Sequence, residues 1–395
     1  MTQTPWRFIS AVMITGFLVV AQIYAVLPLM TEIVSDLQVT DAQASVIPTA
    51  FGLAYAFGFF IFGPIADKVD RMSLLVAGLI ALAGTTLLAA QISTYWSLMG
   101  TRVLQGLAAA SFPATALALV SEKTPPKDQP FAISMLGFAF LSSAPLSQLT
   151  VKALGLSLST LMGTLAGLYT LCAIAIYVTG TDRSSKTALT SDHVPEAERP
   201  NAQAAVSQKR FPPIAAAIIA PSTVLLCLVT FHTLCQSLAS SGAPLDPQVL
   251  RLVGFPPLLI CFLAPLITKR FGPAVTASCG LLVTALGMAC AGGGLNLALC
   301  SIIVSSGVAL AVPGLIAAVT FWSSVDVRAR ALAIYTFCLF TGASLAPVLA
   351  NALYQIDAIV GFTVPAVATL FAACTLYITR PTHQTSHQAA PANRS

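Results

Sequence analysis

Twelve stretches of about twenty predominantly apolar residues, separated by polar connections that are short with one exception, limit what this 395-residue chain can become. They lie near 8-30, 44-66, 73-91, 95-119, 131-151, 158-179, 213-239, 248-267, 273-292, 296-319, 331-352 and 360-379. Each is long enough to cross the hydrocarbon core of a bilayer as a helix, the one open-ended conformation that satisfies its own backbone there. With 56% hydrophobic and only 8% charged residues, the chain lacks the charge that clothes a soluble domain. The sequence therefore predicts an all-α polytopic membrane protein with twelve transmembrane helices. Its first apolar run is followed by acidic residues and not by a small-residue cleavage site, so it should remain as the first helix.

Basic residues assign a direction to this topology. Of the nineteen lysines and arginines, sixteen fall on the side of Arg7, Lys68, Arg71, Lys123, Lys127, Lys269 and Arg270. The opposite side has Lys152 and, at a helix edge, Arg251, beside the acidic Glu32, Asp36, Asp41, Asp246 and Asp357. Positive residues concentrate on the cytoplasmic face of membrane proteins, so the Lys68 side and both termini are expected to be cytoplasmic. The same scatter over short loops explains the net charge of +5 without a nucleic-acid patch. One long polar segment divides the chain into a six-helix half over 1-180, a linker over 181-211, a second half over 212-380 and a disordered tail over 381-395. The nine cysteines form no Cys-x-x-Cys pair and the tail histidines make no ligand set, so neither metal nor cofactor is expected.

The most informative loop is the hairpin Gly63-Pro64-Ile65-Ala66-Asp67-Lys68-Val69-Asp70-Arg71. So short a connection makes its two flanking helices antiparallel neighbours, and its charges must stay at the membrane surface. Read from the residues alone, it is either a solvated turn or a functional surface loop. It resembles the loop between the second and third helices of major facilitator superfamily (MFS) transporters, with Gly63, Asp67, Lys68 and Arg71 on the family's Gly-x-x-x-Asp-(Arg/Lys)-x-Gly-Arg-(Arg/Lys) pattern. Asp70 stands where the family usually has glycine and Met72 where it has a second basic residue. The resemblance implies a gate: Asp67 accepting from the start of the eleventh helix near Arg330 and Ala331, and Arg71 pairing with Glu122. A weak internal repeat fits the same family. Ala144-Pro145 aligns with Ala346-Pro347, Gly106 with Gly307, and the hairpin with Lys269-Arg270, at offsets of 201 or 202.

Arg102 is the only basic residue well inside a predicted span. A charge there costs at least about 2.5 kcal/mol, so it should face the bundle interior and be hydrogen-bonded, with Gln22 and Tyr24 at matching depth. It either carries function or locks the first helix to the fourth through backbone carbonyls. Its context Arg102-Val103-Leu104-Gln105-Gly106 resembles the fourth-helix pattern of MFS proton antiporters, although the fifth helix keeps Pro145 without the usual glycine pairs. None of the fourteen acidic residues lies mid-helix, which leaves Glu32, Asp41 and His232 as candidate proton carriers. The resemblance points to a cavity between the first, fourth, seventh and tenth helices, where Gln22, Tyr24, Arg102, Gln105, His232, Gln236 and Ser306 supply polar groups. A lining so poor in charge suits a neutral, amphipathic or aromatic solute, while Arg102 leaves room for an anion.

With no convergent acid, base, nucleophile or metal set, an enzyme is not expected. The resemblance implies a monomeric inner-membrane exporter of a small organic molecule, driven by proton antiport as in the drug:proton antiporter branch. An importer or facilitator of a nutrient or siderophore-like solute is the alternative.

Overall fold

The computed structural model describes residues 4–66, 68–125, 127–180, 213–323 and 328–380. The segment 181–211 and the tail 381–395, expected as linker and disordered end, lie outside the described residues. Of the described residues 87% are helical and none is in a strand. The first span is α1 (Trp6–Tyr24) and α2 (Met30–Leu37), joined by a 3-10 turn at Leu27–Leu29. Next come α3 (Asp41–Ala66), α4 (Arg71–Ala89), the pair α5 (Tyr95–Ala109) and α6 (Phe112–Lys123), α7 (Gln129–Leu154) and α8 (Leu158–Gly180). Beyond residue 212, α9 (Pro213–Ile219) and α10 (Pro221–Ser240) form one span, followed by α11 (Pro247–Gly254), a 3-10 stretch at Pro256–Phe262 and α12 (Ala264–Phe271). The last four are α13 (Pro273–Gly292), α14 (Leu297–Trp322), α15 (Arg328–Tyr354) and α16 (Ala358–Thr379).

Among the described residues eleven of these units are long and apolar enough to cross a membrane, and the bent pair Pro247–Phe262 plus Ala264–Phe271, counted as one span, makes a twelfth. The sequence predicts one uninterrupted span over 248-267; the structure bends it by 46°. Three prolines explain the difference. Pro256, Pro257 and Pro265 supply no N–H, and their rings collide with the preceding turn, so α11 stops at Gly254 and the chain tightens before resuming. Pro28, Pro113 and Pro221 mark the breaks in the first, fourth and seventh spans in the same way.

Small residues set the closest helix pairs, as expected where lipid offers no hydrophobic drive. On α13, a Cβ at Gly280 would stand 2.7 Å from Ala311 Cα of α14, and one at Gly307 would stand 2.7 Å from Gly280 O. In the first six spans, Gly106 lets α5 approach α3, where a Cβ would meet Tyr55 N at 2.9 Å. Large apolar side chains such as Phe57, Leu171 and Phe371 face outward, where lipid covers them.

Two seams join the first six spans to the last six. Along α3 and α15, Tyr55 packs edge-on to Phe340 at 4.7 Å and Phe60 lies 4.4 Å from Phe337. Toward the hairpin end, Gly63 brings α3 against Ala333, where a Cβ would sit 3.1 Å from the alanine Cβ. The second seam sets α7 against the broken span, with Phe138 at 6.1 Å from Phe255 and 5.4 Å from Phe262, and Phe131 at 5.6 Å from Phe262. Trp6, also of the first six spans, makes an edge-on contact to Phe131 and so backs this seam from its own side.

Candidate functional site

At the end of the bundle opposite the hairpin the seams part around a cavity of about 680 Å³. Its walls come from the first, fifth, seventh, eighth, tenth and eleventh spans. The proline bends contribute directly, since Pro28, Pro145 and Pro347 all line it. Ala144 lies beside Pro145 in the wall, whereas Ala346 is fully buried behind Pro347. Going inward, the cavity shares Tyr24, Leu141, Ala144 and Leu228 with an apolar void of only about 30 Å³, beneath which Tyr335, Leu339 and Phe340 lie packed. A solute of drug size fits the upper chamber, which falls within the usual range of about 300–1,000 Å³ for ligand sites, and cannot pass the lower one.

The polar lining differs from the sequence expectation in its details. Tyr24, His232 and Gln236 face the cavity, and so does Glu32, whose Oε1 also accepts from Leu158 N at 3.0 Å and thereby caps α8. Gln22 and Gln105 are fully buried and line nothing. Ser306 gives its place to Ser305, and its hydroxyl donates to Ile302 O along its own helix. One residue is a rotation of about 100° on a helix, so a sequence without a known helix phase cannot choose between neighbours. Asp41 opens α3, and its side chain lies outside the described residues.

Gln148, Lys152, Gln248 and Arg251 also line the cavity and were not expected there. Arg251 is the most consequential. It is only 9% exposed, its Nε has no hydrogen-bond partner, and the same holds for Oε1 of Gln248 one helical turn before it. The regular helix stops at Gly254, where Pro256 and Pro257 open a 3-10 stretch, and the residues just before the stop line the cavity. The clue in the sequence was Pro256-Pro257, which makes 248–254 a half-helix with an inner face.

Arg102 occupies a different place. It is fully buried among the first six spans, with Nη1 donating to Gln105 Oε1 at 3.0 Å, Nη2 to Gln22 O at 3.1 Å, and its guanidinium 4.5 Å from the centre of the Phe51 ring. Gln22 sits in the last turn of α1, where carbonyls lose their helical partners, so the arginine closes off the negative end of that helix. Gln22 is held in turn by Thr86, to which its Nε2 donates at 3.1 Å, and by the hydroxyl of Tyr169. Gln105 completes the cluster with a 3.7 Å contact to Met162 Sδ. The arrangement holds the last turn of α1, which ends at Tyr24 in the cavity wall.

At the hairpin, Arg71 and Glu122 form an ion pair that ties α4 to the end of α6, and Arg71 Nε also donates to Ala66 O at 3.4 Å. Lys68 is exposed, and its amide closes the turn on Ile65 O at 2.9 Å. Asp67 lies outside the described residues. Asp70 caps α4, accepting from both the hydroxyl and the amide of Ser73 at 2.8 Å. Those bonds, the side-chain one first, hold its carboxyl below the usual aspartate range. Asp70→Ala should therefore cost about 1 kcal/mol at neutral pH. A lowered folded pKa stabilises above the ordinary value, so the melting difference between wild type and mutant should shrink as pH falls below about 4. A difference independent of pH would show that the cap does not act through its charge.

Comparison with known proteins agrees with this architecture. The Major Facilitator Superfamily profile matches residues 12–245 and 252–394. Similar curated proteins include the inner membrane transport protein YajR of Escherichia coli K12, 30% identical over 30% of this chain and 26% of its own length. An uncharacterized MFS-type transporter of Bacillus subtilis, YybF, is 28% identical over 28% of each chain. An uncharacterized transporter of Buchnera aphidicola is 26% identical over 32% of this chain and 31% of its own. The matched regions thus span about a third or less of these relatives. The family profile covers both sets of six spans, the broken eighth included almost entirely, and on that coverage the chain belongs to the Major Facilitator Superfamily.

Proposed function

We propose that the protein is a secondary active exporter of a small organic molecule, working by alternating access between two six-helix halves over 1-180 and 212-380. The observation that carries this reading is the cavity of about 680 Å³ at the interface of the halves, open at one end and blocked at the other by the α3–α15 seam and the seam between α7 and the broken eighth span. The positive residues on the blocked side make that side cytoplasmic, so the conformation faces outward from a bacterial inner membrane. Protons drive the cycle. Of the candidate carriers Glu32, Asp41 and His232, the reading favours Glu32 and His232, both of which line the chamber. The Arg71–Glu122 pair and the Gly63 contact to α15 belong to the closed cytoplasmic gate, to which Asp67 contributes its carboxylate.

Efflux-deficient bacteria expressing the chain should withstand some members of a panel of toxic small molecules, and Asp67→Asn should abolish that resistance at unchanged membrane abundance. Sensitisation to the panel would mean uptake and would overturn the export direction. Full resistance in the mutant would remove the gate role from Asp67.

A further inference from the structure

Charge in the outer chamber is distributed unevenly. Among its described lining residues, Lys152 and Arg251 are cationic and Glu32 is anionic. Glu32 is partly occupied by the Leu158 amide at 3.0 Å. Asp246, at the start of α11, spends an oxygen on the Gln248 amide at 2.8 Å and acts on Arg251 through its field without forming an ion pair among the described residues. No carboxylate or carbonyl among the described residues accepts from Arg251, although its side chain is almost wholly buried. A buried guanidinium nitrogen without an acceptor, here Nε, is costly, and low-dielectric walls concentrate the field of the charge in the cavity.

The residue is also rigidly placed. Ser301 Oγ donates to Leu250 O at 2.8 Å, one residue before it. Gly254 lets α11 lie directly on α14, where a Cβ would meet Ser301 Oγ at 2.5 Å and Ser305 Oγ at 2.9 Å. Gln248 stands one turn away on the same face, with its buried Oε1 also unpartnered. The pair therefore presents a planar fork of donors next to a lone acceptor.

We propose that Arg251 anchors an oxyanion of the transported molecule and that Gln248 reads a hydrogen-bond donor beside it, which makes the substrate class small organic acids such as 2-hydroxycarboxylates. The assignment rests on the outer chamber being the transport site. Guanidinium binds carboxylate through two parallel bonds, and the Gln248 oxygen accepts from the adjacent hydroxyl. Cationic compounds meet net repulsion in the same chamber.

Two measurements on the full-length protein test this without relying on transport. In detergent, millimolar mandelate should raise the melting temperature, whereas its neutral amide, mandelamide, and the cation phenylglycinol should not. Arg251→Gln should weaken the mandelate response at least about tenfold in midpoint concentration, the loss of one charged hydrogen-bonding partner, and Arg251→Lys should restore part of it. A cysteine at Gln236, in a background without the native cysteines, should react faster with an anionic than with a cationic thiosulfonate, and Arg251→Gln should remove that preference. Equal reactivity toward both reagents, or stabilisation by phenylglycinol and not by mandelate or other 2-hydroxycarboxylates, would overturn the anchor. An anionic preference without any drug resistance in the growth test would sustain the anchor and remove the exporter reading instead.

Discussion

Gly342→Val should leave the protein unable to fold into a monodisperse species, and even Gly342→Ala should lower its melting temperature clearly. A Cβ at Gly342 of α15 would run into the Ser222 carbonyl of α10, and would stand 2.8 Å from its carbon and 3.1 Å from Ser222 Cα. All three atoms are backbone at the start of a helix, so no side-chain rotation relieves the clash. The helices must separate, and overpacking of this kind costs about 1–3 kcal/mol for the first carbon. Gly163 of α8 is the control, because nothing lies within 4 Å of its Cβ position. Gly163→Ala should melt at or above the wild-type temperature, given the better helix propensity of alanine. Equal melting of Gly342→Ala and wild type would mean that α10 and α15 are not this close.

The two glycines show how far such a chain is legible beforehand. Length and hydropathy yield the spans because the bilayer imposes them, and each of the twelve expected runs meets a helical unit. The Arg71–Glu122 pair was also readable, from the hairpin's resemblance to the family loop. Nothing in the residue letters separates Gly342 from Gly163, however, since the difference lies in a neighbour some 120 residues away. The cavity was half legible for a related reason. Tyr24 was reachable by depth, and His232 and Gln236 from the helices to which the family resemblance points, but Gln22 against Tyr24 and Ser306 against Ser305 depend on rotation about the helix axis. Arg251 was assigned to a helix edge on the expectation of an uninterrupted eighth span; the regular helix stops at Gly254, the span bends by 46° past Phe262, and Arg251 is part of the wall.

Arg102→Met is expected to abolish transport, by about tenfold or more as a misplaced binding residue does, while changing stability little. Two opposing costs decide the stability. Burying a guanidinium at mid-membrane costs about 2.5–3.5 kcal/mol, which methionine avoids. Methionine also leaves Gln105 Oε1 and the Gln22 carbonyl without a donor, at about 1–3 kcal/mol each, so the balance is close. Function has no such offset. The bond from Nη2 to Gln22 O fixes the end of α1, and Tyr24, two residues later, is part of the cavity wall and of the constriction beneath it. Arg102→Lys keeps the charge but offers one nitrogen where two acceptors on different helices need bridging, so it should transport at an intermediate rate. The decisive comparison is transport in proteoliposomes beside melting of the same preparations. If methionine melts like wild type and transports like it, Arg102 only fills space; if it unfolds, the arginine is an assembly residue. Normal melting with lost transport would place its role at the α1 break.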